Sequence, residues 1–153
     1  MSDLKEGVKA PDFTAADQEG NLVSLHQFAD KKVVLYFYPK DDTPGCTAEA
    51  CDFRDNYQGL AAKGIVVLGV SADDEKSHKK FATKHSLPFT LLADTDKKIV
   101  EAYGVWGEKN MYGKTYMGIS RKTFLIDEAG SIQHIIEKVY TKNATAQVLE
   151  LLK

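Results

Sequence analysis

The chain has 153 residues, 43% of them hydrophobic, and its 20 Lys and Arg residues against 22 Asp and Glu residues give a net charge of −2. This length suits one domain, residues 1–153, that buries about two-thirds of its unfolded surface and needs no metal or disulfide for stability. Charges of both signs are interspersed along the chain, which argues against nucleic acid or an anionic membrane as the main partner.

The N-terminal segment lacks the features of a targeting signal. Met1 to Gly7 has neither the apolar core of a signal peptide nor the Arg-rich, acid-poor bias of a transit peptide. No apolar run nears the roughly 18 residues of a membrane-spanning helix. A soluble, cytoplasmic protein is therefore expected, and a monomer is expected because the predicted elements leave no long apolar face over.

The first half of the chain predicts a β-hairpin followed by a β-α-β unit. Residues Phe13 to Leu25 predict a small hairpin that turns at Glu19 to Asn21. The apolar runs Val33–Tyr38 and Ile65–Val70 are typical of central strands that are covered on both faces. The helical pattern from about Pro44 to Ala62 lies between them, so the two strands are expected to be parallel.

The second half adds further helices and strands. A helix from about Asp74 to His85 is predicted, with Asp73 or Asp74 as its cap and Phe81 and Ala82 facing inward. The remaining predictions are a strand at Leu91–Ala93, a helix at Lys97–Tyr103, a loop at Gly104–Ser120, a hairpin of Thr123–Ile126 with Ile132–Val139, and a helix at Asn143–Leu152. This order predicts an α/β fold of the thioredoxin type, with a mixed central sheet, flanking helices and an N-terminal β-hairpin extension.

Three local predictions accompany this architecture. The segment from Gly104 to Ser120 has four glycines and three aromatic residues, and a loop of that length is usually functional or mobile. In the final helix Ala146, Leu149 and Leu152 recur at helical spacing and are predicted to face the core. The histidines lie among polar neighbours and are predicted to be solvated surface residues: His26, His78, His85 and His134.

Both cysteines lie where an apolar strand gives way to a helix, a position that can activate a thiol. Thr43 can cap this helix and Pro44 suits its first position, so Cys46 falls at the third, where the Thr43 hydroxyl can bond its backbone N–H. Unpaired N–H groups and the positive end of the helix dipole favour a thiolate there. The sulfur should point inward because Cys46 belongs to an apolar stripe with Ala50, Phe53, Tyr57 and Leu60.

A cation beside the sulfur would favour the thiolate further. Arg121 is the candidate, because an arginine keeps its charge when half buried and can direct two donors at one oxygen. The alternatives are an exposed arginine at a strand start, Pro39 as a strand terminator and Thr43 as an ordinary cap. The combination Pro39-x-x-x-Thr43-x-x-Cys46 is more specific than any of its members. Glu49 has two interpretations, as part of the pocket or as an ordinary acid in a first helical turn.

Cys51 lies five residues beyond Cys46. On an intact helix this offset separates the two Cα atoms by about 8–9 Å, whereas a disulfide needs them within about 7 Å. The pair is therefore a candidate switch that is helical when reduced and locally melted when oxidised. The alternative is that Cys51 is a small filler residue. A zinc site is less favoured, because a Cys-x4-Cys pair without a nearby histidine supplies too few ligands.

One stretch of the chain resembles the active-site signature of the peroxiredoxins, specifically the bacterioferritin comigratory protein or peroxiredoxin Q branch. The stretch is Tyr36-Phe-Tyr-Pro-Lys-Asp-Asp-Thr-Pro-Gly-Cys46-Thr-Ala-Glu49-Ala-Cys51. Further matches lie at Gly7–Phe13, Tyr103–Lys109 and Gly118–Asp127, so the resemblance extends over nearly the whole chain.

The resemblance implies a thiol peroxidase that reduces hydrogen peroxide and organic hydroperoxides to water and alcohols, in antioxidant defence and redox homeostasis. Cys46 would be the peroxidatic cysteine, and Cys51 would resolve its sulfenic acid as an intramolecular disulfide that thioredoxin or a similar dithiol reduces. Pro39, Thr43 and Arg121 would complete the peroxide pocket. No metal, haem or flavin is implied, since sulfur carries the electrons.

Two other functions remain open at this stage. One is a dithiol oxidoreductase acting on protein disulfides, although such enzymes use Cys-x-x-Cys, in which the sulfurs can bridge with little backbone change. The other is a redox-sensing or chaperone-like protein whose helix melts on oxidation and exposes apolar surface. Reduction of insulin would support the first, and dye binding after peroxide treatment the second.

Overall fold

A computed structural model describes residues 4–152, so Met1 to Asp3 and Lys153 lie outside it. The strands are β1 Thr14–Ala16, β2 Leu22–Ser24, β3 Lys32–Phe37, β4 Ile65–Ser71, β5 Thr90–Ala93, β6 Trp106–Met111, β7 Lys114–Ile119, β8 Lys122–Ile126 and β9 Ile132–Ile136. The helices are α1 Pro44–Asp55, α2 Tyr57–Ala62, α3 Glu75–His85, α4 Lys98–Ala102 and α5 Ala144–Leu151, with 3-10 turns at Leu25–Phe28 and Thr141–Asn143. None of the helices within residues 4–152 combines the length and apolar character needed to cross a membrane.

Seven of these strands form one mixed sheet in the order β2-β1-β5-β4-β3-β8-β9, and β6 pairs with β7 in a separate sheet. Strands β3, β4 and β5 are parallel, whereas β8, β9 and the N-terminal hairpin pair in antiparallel fashion. The parallel pairing of β3 with β4 confirms the predicted β-α-β unit. A mixed central sheet with helices on both faces and an N-terminal hairpin confirms the predicted α/β architecture.

Strand β3 lies inside the sheet, between β4 and β8, and contributes to two core layers. Alternate side chains of a strand point to opposite faces. Val34 and Tyr36 accordingly pack with residues of α1, α3 and α5, while Leu35 and Phe37 pack with residues of α4 on the other face. Because both faces are covered, the strand is apolar from Val33 to Phe37 rather than alternating.

Helix α3 is confirmed together with its cap. The Asp74 carboxylate accepts the backbone N–H of Ser77 at 2.8 Å, and Phe81 and Ala82 are buried as expected. The N-terminal hairpin turns through Gly20, whose φ of 81° is the left-handed conformation that glycine adopts easily. The predicted strand at residues 91–93, the short helix at 97–103 and the hairpin of β8 with β9 are also present.

The helix predicted from Pro44 to Ala62 is instead two helices, α1 and α2, that meet at Asn56. The Asn56 side-chain amide donates to the Asp52 carbonyl at 2.8 Å, and its backbone N–H donates to the Phe53 carbonyl at 3.3 Å. Asparagine competes in this way with the regular helical bonds. The apolar spacing continues through Leu60, so hydrophobic periodicity does not reveal the break.

The loop predicted from Gly104 to Ser120 is wrong, because β6 and β7 form an antiparallel hairpin there. Tyr112 and Gly113 make its two-residue turn, and both have positive φ angles, 54° and 79°, as such a hairpin turn requires. Strand β7 is largely exposed to solvent. Its sequence therefore lacks the apolar alternation by which a half-buried strand is identified.

Helix α5 presents a different face from the predicted one. Ala146 is exposed, although Leu149 and Leu152 do pack against the core. The buried residues of this helix are Ala144, Thr145 and Val148. Asp52 of α1 fixes the rotation, because its carboxylate accepts the backbone N–H of Thr145 at 2.8 Å.

Candidate active site

The first turn of α1 places Cys46 against the sheet. Thr43 is the N-cap and Pro44 the first helical residue, as predicted. Cys46 therefore lies in the turn whose backbone N–H groups lack partners within the helix. It is 1% exposed and packs in the same core layer as Ala50 and Phe53. The predicted inward orientation of Cys46 is confirmed.

The Thr43 hydroxyl does not make the predicted capping bond to the Cys46 N–H. It donates instead to the Lys40 carbonyl at 2.9 Å, while the Thr43 backbone carbonyl accepts the Thr47 N–H at 2.8 Å. With its proton engaged, the hydroxyl oxygen keeps lone pairs that can accept a hydrogen bond from a ligand.

Arg121 connects the sulfur to a buried carboxylate. Its Nη2 lies 3.2 Å from Cys46 Sγ and its Nη1 lies 2.7 Å from Glu49 Oε1. The segment between β7 and β8 thus brings a residue 75 positions away in sequence to the start of α1. A Cβ atom at Gly45 would lie 3.2 Å from Arg121 Nη2. The absence of a side chain at position 45 therefore allows the guanidinium to approach the helix.

Glu49 is fully buried beside this guanidinium. Burial raises the pKa of Glu49 to about 7, even though Arg121 acts in the opposite direction. Its second oxygen, Oε2, has no hydrogen-bond partner among residues 4–152. Burial lowers the pKa of Arg121, but the neighbouring Cys46 and Glu49 more than offset this effect and raise it. The arginine therefore stays charged while Glu49 exchanges its proton near neutral pH.

Tyr36 forms the apolar floor below this site. Its ring stacks on Tyr38 with centroids 5.5 Å apart and contacts Phe53 at 4.9 Å. Burial, then Glu49 and Cys46, raise the pKa of Tyr36 well above its usual value, so the phenol stays neutral. A Cβ atom at Gly69 on the neighbouring strand would lie 2.9 Å from the Tyr36 hydroxyl. Glycine at position 69 is thus required by the Tyr36 ring.

The two other predicted site residues, Pro39 and Cys51, lie before and after Cys46 in the sequence. Pro39 is half-buried at the beginning of the segment that joins β3 to α1. Cys51 is half-buried on α1, and both cysteines are free thiols on one uninterrupted helix. The five-residue offset therefore keeps the two sulfurs apart, since regular helix geometry separates their Cα atoms by about 8–9 Å.

This arrangement is suited to a reaction at sulfur in which negative charge develops. The Cys46 sulfur and the cationic guanidinium of Arg121 lie together in the first turn of a helix, where the helix dipole also favours an anion. The apolar floor keeps water from screening these charges.

Residues 7–135 match the AhpC/TSA family. A relative from Coxiella burnetii, described as a putative peroxiredoxin bcp, is 52% identical over 146 residues, which are 95% of this chain and 97% of that protein. The chain is a peroxiredoxin of the AhpC/TSA family. Its relatives by sequence belong to the bacterioferritin comigratory protein branch, as the motif predicted, which makes this peroxiredoxin an oxidoreductase of the peroxidase class.

Solved structures agree with this placement. A Xylella fastidiosa peroxiredoxin Q variant superposes with a TM-score of 0.92 at 31% identity, covering 99% of this chain and 97% of that chain. The Xanthomonas campestris bacterioferritin comigratory protein, whose alkyl peroxide reduction activity was examined in trapped intermediate and ligand complexes, superposes at 0.88 with 36% identity, covering 97% and 98%. The predicted thioredoxin-like fold is thereby confirmed.

One residue of this peroxiredoxin contradicts the prediction that all four histidines are solvated. His78 is 0% exposed, and its Nδ1 lies 2.7 Å from Asp41 Oδ2. The sequence does contain a signal for this burial, because His78 precedes Phe81 and Ala82 by three and four residues and therefore shares their inward face of α3. Polar neighbours in sequence concealed that periodicity.

Asp41, Asp73 and His78 offer potential metal ligands whose atoms lie within 4.8 Å of one another. These atoms already bind protein groups. Asp73 Oδ2 accepts the Asp41 N–H at 2.8 Å and the Ser71 hydroxyl at 2.7 Å, and His78 occupies Asp41 Oδ2. The cluster is therefore a closed hydrogen-bond network that connects the segment before α1 to α3.

Proposed function

We propose that this protein reduces hydrogen peroxide and organic hydroperoxides to water and alcohols, with Cys46 as the peroxidatic residue. The observation that carries the proposal is the 3.2 Å contact of Arg121 Nη2 with Cys46 Sγ at the start of α1. The alkyl peroxide reduction named for the Xanthomonas campestris relative supports the substrate class. Pro39 and Thr43 complete the pocket in this proposal.

In the first step the Cys46 thiolate attacks the terminal oxygen of the hydroperoxide. An S–O bond forms and the O–O bond breaks, leaving a sulfenic acid and an alkoxide or hydroxide that takes up a proton. Negative charge spreads from sulfur over both oxygens in the transition state, so donors fixed beside them lower the barrier. Arg121 supplies such donors, and the Thr43 hydroxyl oxygen accepts a hydrogen bond from the hydroperoxide O–H and so orients the substrate.

In the second step Cys51 attacks the sulfur of the Cys46 sulfenic acid. A disulfide forms and water leaves. Because the two Cα atoms must approach from about 8–9 Å to below about 7 Å, the first turns of α1 unwind during this step. Unwinding also brings the buried Cys46 sulfur to the surface, where a dithiol protein can reach it.

Thioredoxin, or a similar dithiol reductant, is proposed to restore the two thiols by exchange through a mixed disulfide. This reductant follows from the peroxiredoxin family and from the accessible disulfide that step two creates. A monomer in the cytoplasm remains our prediction for the state and place in which the protein works.

Peroxide consumption coupled to thioredoxin, thioredoxin reductase and NADPH tests the proposal. Cys46→Ser is expected to abolish turnover, and a fully active Cys46→Ser protein would refute the peroxidatic role. Cys51→Ser is expected to form a trappable sulfenic acid but to turn over poorly with thioredoxin. Normal turnover of that variant would remove Cys51 from the resolving role and leave the first step intact.

Intact mass under non-reducing conditions tests the disulfide directly. After one equivalent of peroxide, the proposal expects a monomer that has lost two hydrogens. A doubled mass would instead show a bridge between chains. Addition of one or more oxygens, without a disulfide, would show that Cys51 does not resolve the sulfenic acid.

A further inference from the structure

The segment from Pro39 to Thr43 carries two pocket residues, and a buried hydrogen-bond network holds its middle. Asp41 Oδ1 accepts the Tyr38 hydroxyl at 2.6 Å. Asp41 Oδ2 accepts the Ser77 hydroxyl and lies beside His78 Nδ1, both at 2.7 Å. Asp41 is therefore attached to α3 through two side chains, while its own N–H donates to Asp73 after β4.

We propose, on the basis of the proposed peroxidase function, that His78 is a positioning residue for the peroxide pocket. Through Asp41 it holds the segment from Pro39 to Thr43 on α3, and so keeps Thr43 and the start of α1 opposite Arg121. His78 does not touch the sulfur. Its effect on the reaction passes through the placement of the segment.

The surroundings of His78 fix the number of protons in the network. Nε2 lies 2.9 Å from the Leu92 carbonyl oxygen, which only accepts, so Nε2 carries a proton. Nδ1 faces a carboxylate oxygen of Asp41. If the imidazole were neutral and Asp41 ionised, Nδ1 and the carboxylate oxygen would both be acceptors with no proton between them. The pair of His78 and Asp41 therefore holds one further proton.

The titratable groups that face His78 from the packed elements favour this extra proton. They are Tyr38 at the end of β3, Asp41 in the segment and Asp73 after β4, while β5 contributes the Leu92 carbonyl. Burial lowers the pKa of His78, but Asp41, then the Leu92 carbonyl and then Asp73 together outweigh burial and raise it. Burial, Tyr36 and Asp41 raise the pKa of Tyr38, so its hydroxyl continues to donate.

A second attachment of the same segment lies at the surface and supplies a matched control. Asp42 has a left-handed φ of 60°, and its carboxylate binds Lys84 Nζ at 2.7 Å and His85 Nε2 at 3.2 Å. Both partners belong to α3, as His78 does. Exposed ion pairs contribute little to stability because solvent screens them. Loss of Lys84 should therefore leave the segment from Pro39 to Thr43 in place.

The first test compares two reactions of Cys46 in a Cys51→Ser background. Attack on hydrogen peroxide needs the aligned pocket, whereas alkylation by iodoacetamide needs only an accessible thiolate. His78→Leu is expected to lower the peroxide rate constant about tenfold to a hundredfold, because misplacement by about 1 Å has effects of this size. The alkylation rate is expected to change by clearly less than the peroxide rate constant, because alkylation does not require an aligned peroxide.

Rescue and control variants separate positioning from loss of structure. His78→Asn keeps an N–H donor toward Asp41 and is expected to recover most of the peroxide rate, and Lys84→Met is expected to match the parent. Equal peroxide rates in the parent and folded His78→Leu would overturn the positioning role. Failure of the proposed function would look different, because the parent itself would then react no faster with peroxide than an ordinary thiol.

The second test needs no variant and no peroxide. Nitrogen-15 NMR of the imidazole is expected to show both His78 nitrogens protonated at neutral pH. When alkali removes that proton, the backbone amide signals of Asp41, Thr43 and Cys46 are expected to shift with the same midpoint. A titration of His78 during which these amide signals stay fixed would overturn the proposal, whatever the activity of the protein.

Discussion

Replacing Arg121 with methionine removes both donors of the guanidinium and keeps a side chain of moderate length. At the observed 3.2 Å between Nη2 and Sγ, a full ion pair in a partly buried site is worth about 5 kcal/mol. Part of that interaction exists before peroxide binds, so only the remainder lowers the barrier. Removal of a single fixed donor from an anion-stabilising site costs about 3–4 kcal/mol. We therefore expect kcat/KM for hydrogen peroxide to fall about a hundredfold to a thousandfold.

The assay is a stopped-flow measurement of sulfenic acid formation, which isolates the first step from reduction by thioredoxin. Arg54→Met is the matched control, because Arg54 is the other arginine of the chain and pairs with exposed Asp55 on α1. Its rate constant is expected to equal that of the unmodified protein. Arg121→Met combined with Glu49→Gln removes the unpaired buried acid and shows whether that acid contributes to the loss.

A loss of less than about threefold in folded Arg121→Met would refute the reasoning, since such a loss equals less than about 1 kcal/mol of transition-state stabilisation. Recovery of the full rate in the double variant would also refute it. In that case Arg121 would serve to neutralise Glu49, and its contact with the sulfur would be incidental to the chemistry.

Three further outcomes are expected. The pKa of Glu49 is about 7 in the folded protein against 4.5 as its ordinary value, so its contribution to stability is present below pH 4.5 and is lost as pH rises toward 7. Between pH 4.5 and 7, the unfolding free energy of Glu49→Gln, measured with denaturant, should rise by about 3 kcal/mol relative to that of the unmodified protein. An unfolding free energy with the same pH dependence in both proteins would contradict the burial argument. Gly69→Ala places a Cβ atom 2.9 Å from the Tyr36 ring and should cost about 1–3 kcal/mol of unfolding free energy, whereas an unchanged denaturation midpoint would show that Tyr36 can move. Hydrogen exchange of the oxidised protein should show lost protection at residues 44–51 but retained protection at 52–55, and uniform protection along α1 would exclude local unwinding.

The start of α1 was predictable because its signals are local in sequence. A proline after a threonine, following an apolar strand, fixes where the helix begins and therefore which turn contains Cys46. The same local rules fail for the Thr43 hydroxyl, which binds the Lys40 carbonyl rather than the Cys46 N–H. Local sequence does not rank the Lys40 carbonyl against the Cys46 N–H, since their distances depend on the exact path of the turn.

Spacing alone could not show which distant residues complete the site, because their positions depend on the tertiary fold. Arg121 meets Cys46 only through the position of β8 next to β3, a pairing between distant segments. Polar sequence neighbours predict a surface position for His78, although its position on α3 faces inward. The sequence does not predict the hairpin of β6 with β7, because solvent-facing strands carry no apolar alternation.

The part of the chain that contains both cysteines, from Asp41 to Asp52, is attached at its two ends to different parts of the fold. Before α1, Asp41 is bound by side chains of α3. Near the end of α1, the Asp52 carboxylate accepts the Thr145 N–H of α5 at 2.8 Å. Both cysteines lie between these attachments, so the helix can unwind over that interval while its flanks keep their places. If the proposed disulfide forms, we expect such a layout to limit unwinding to the first two turns and to return the sulfur to Arg121 when the disulfide is reduced.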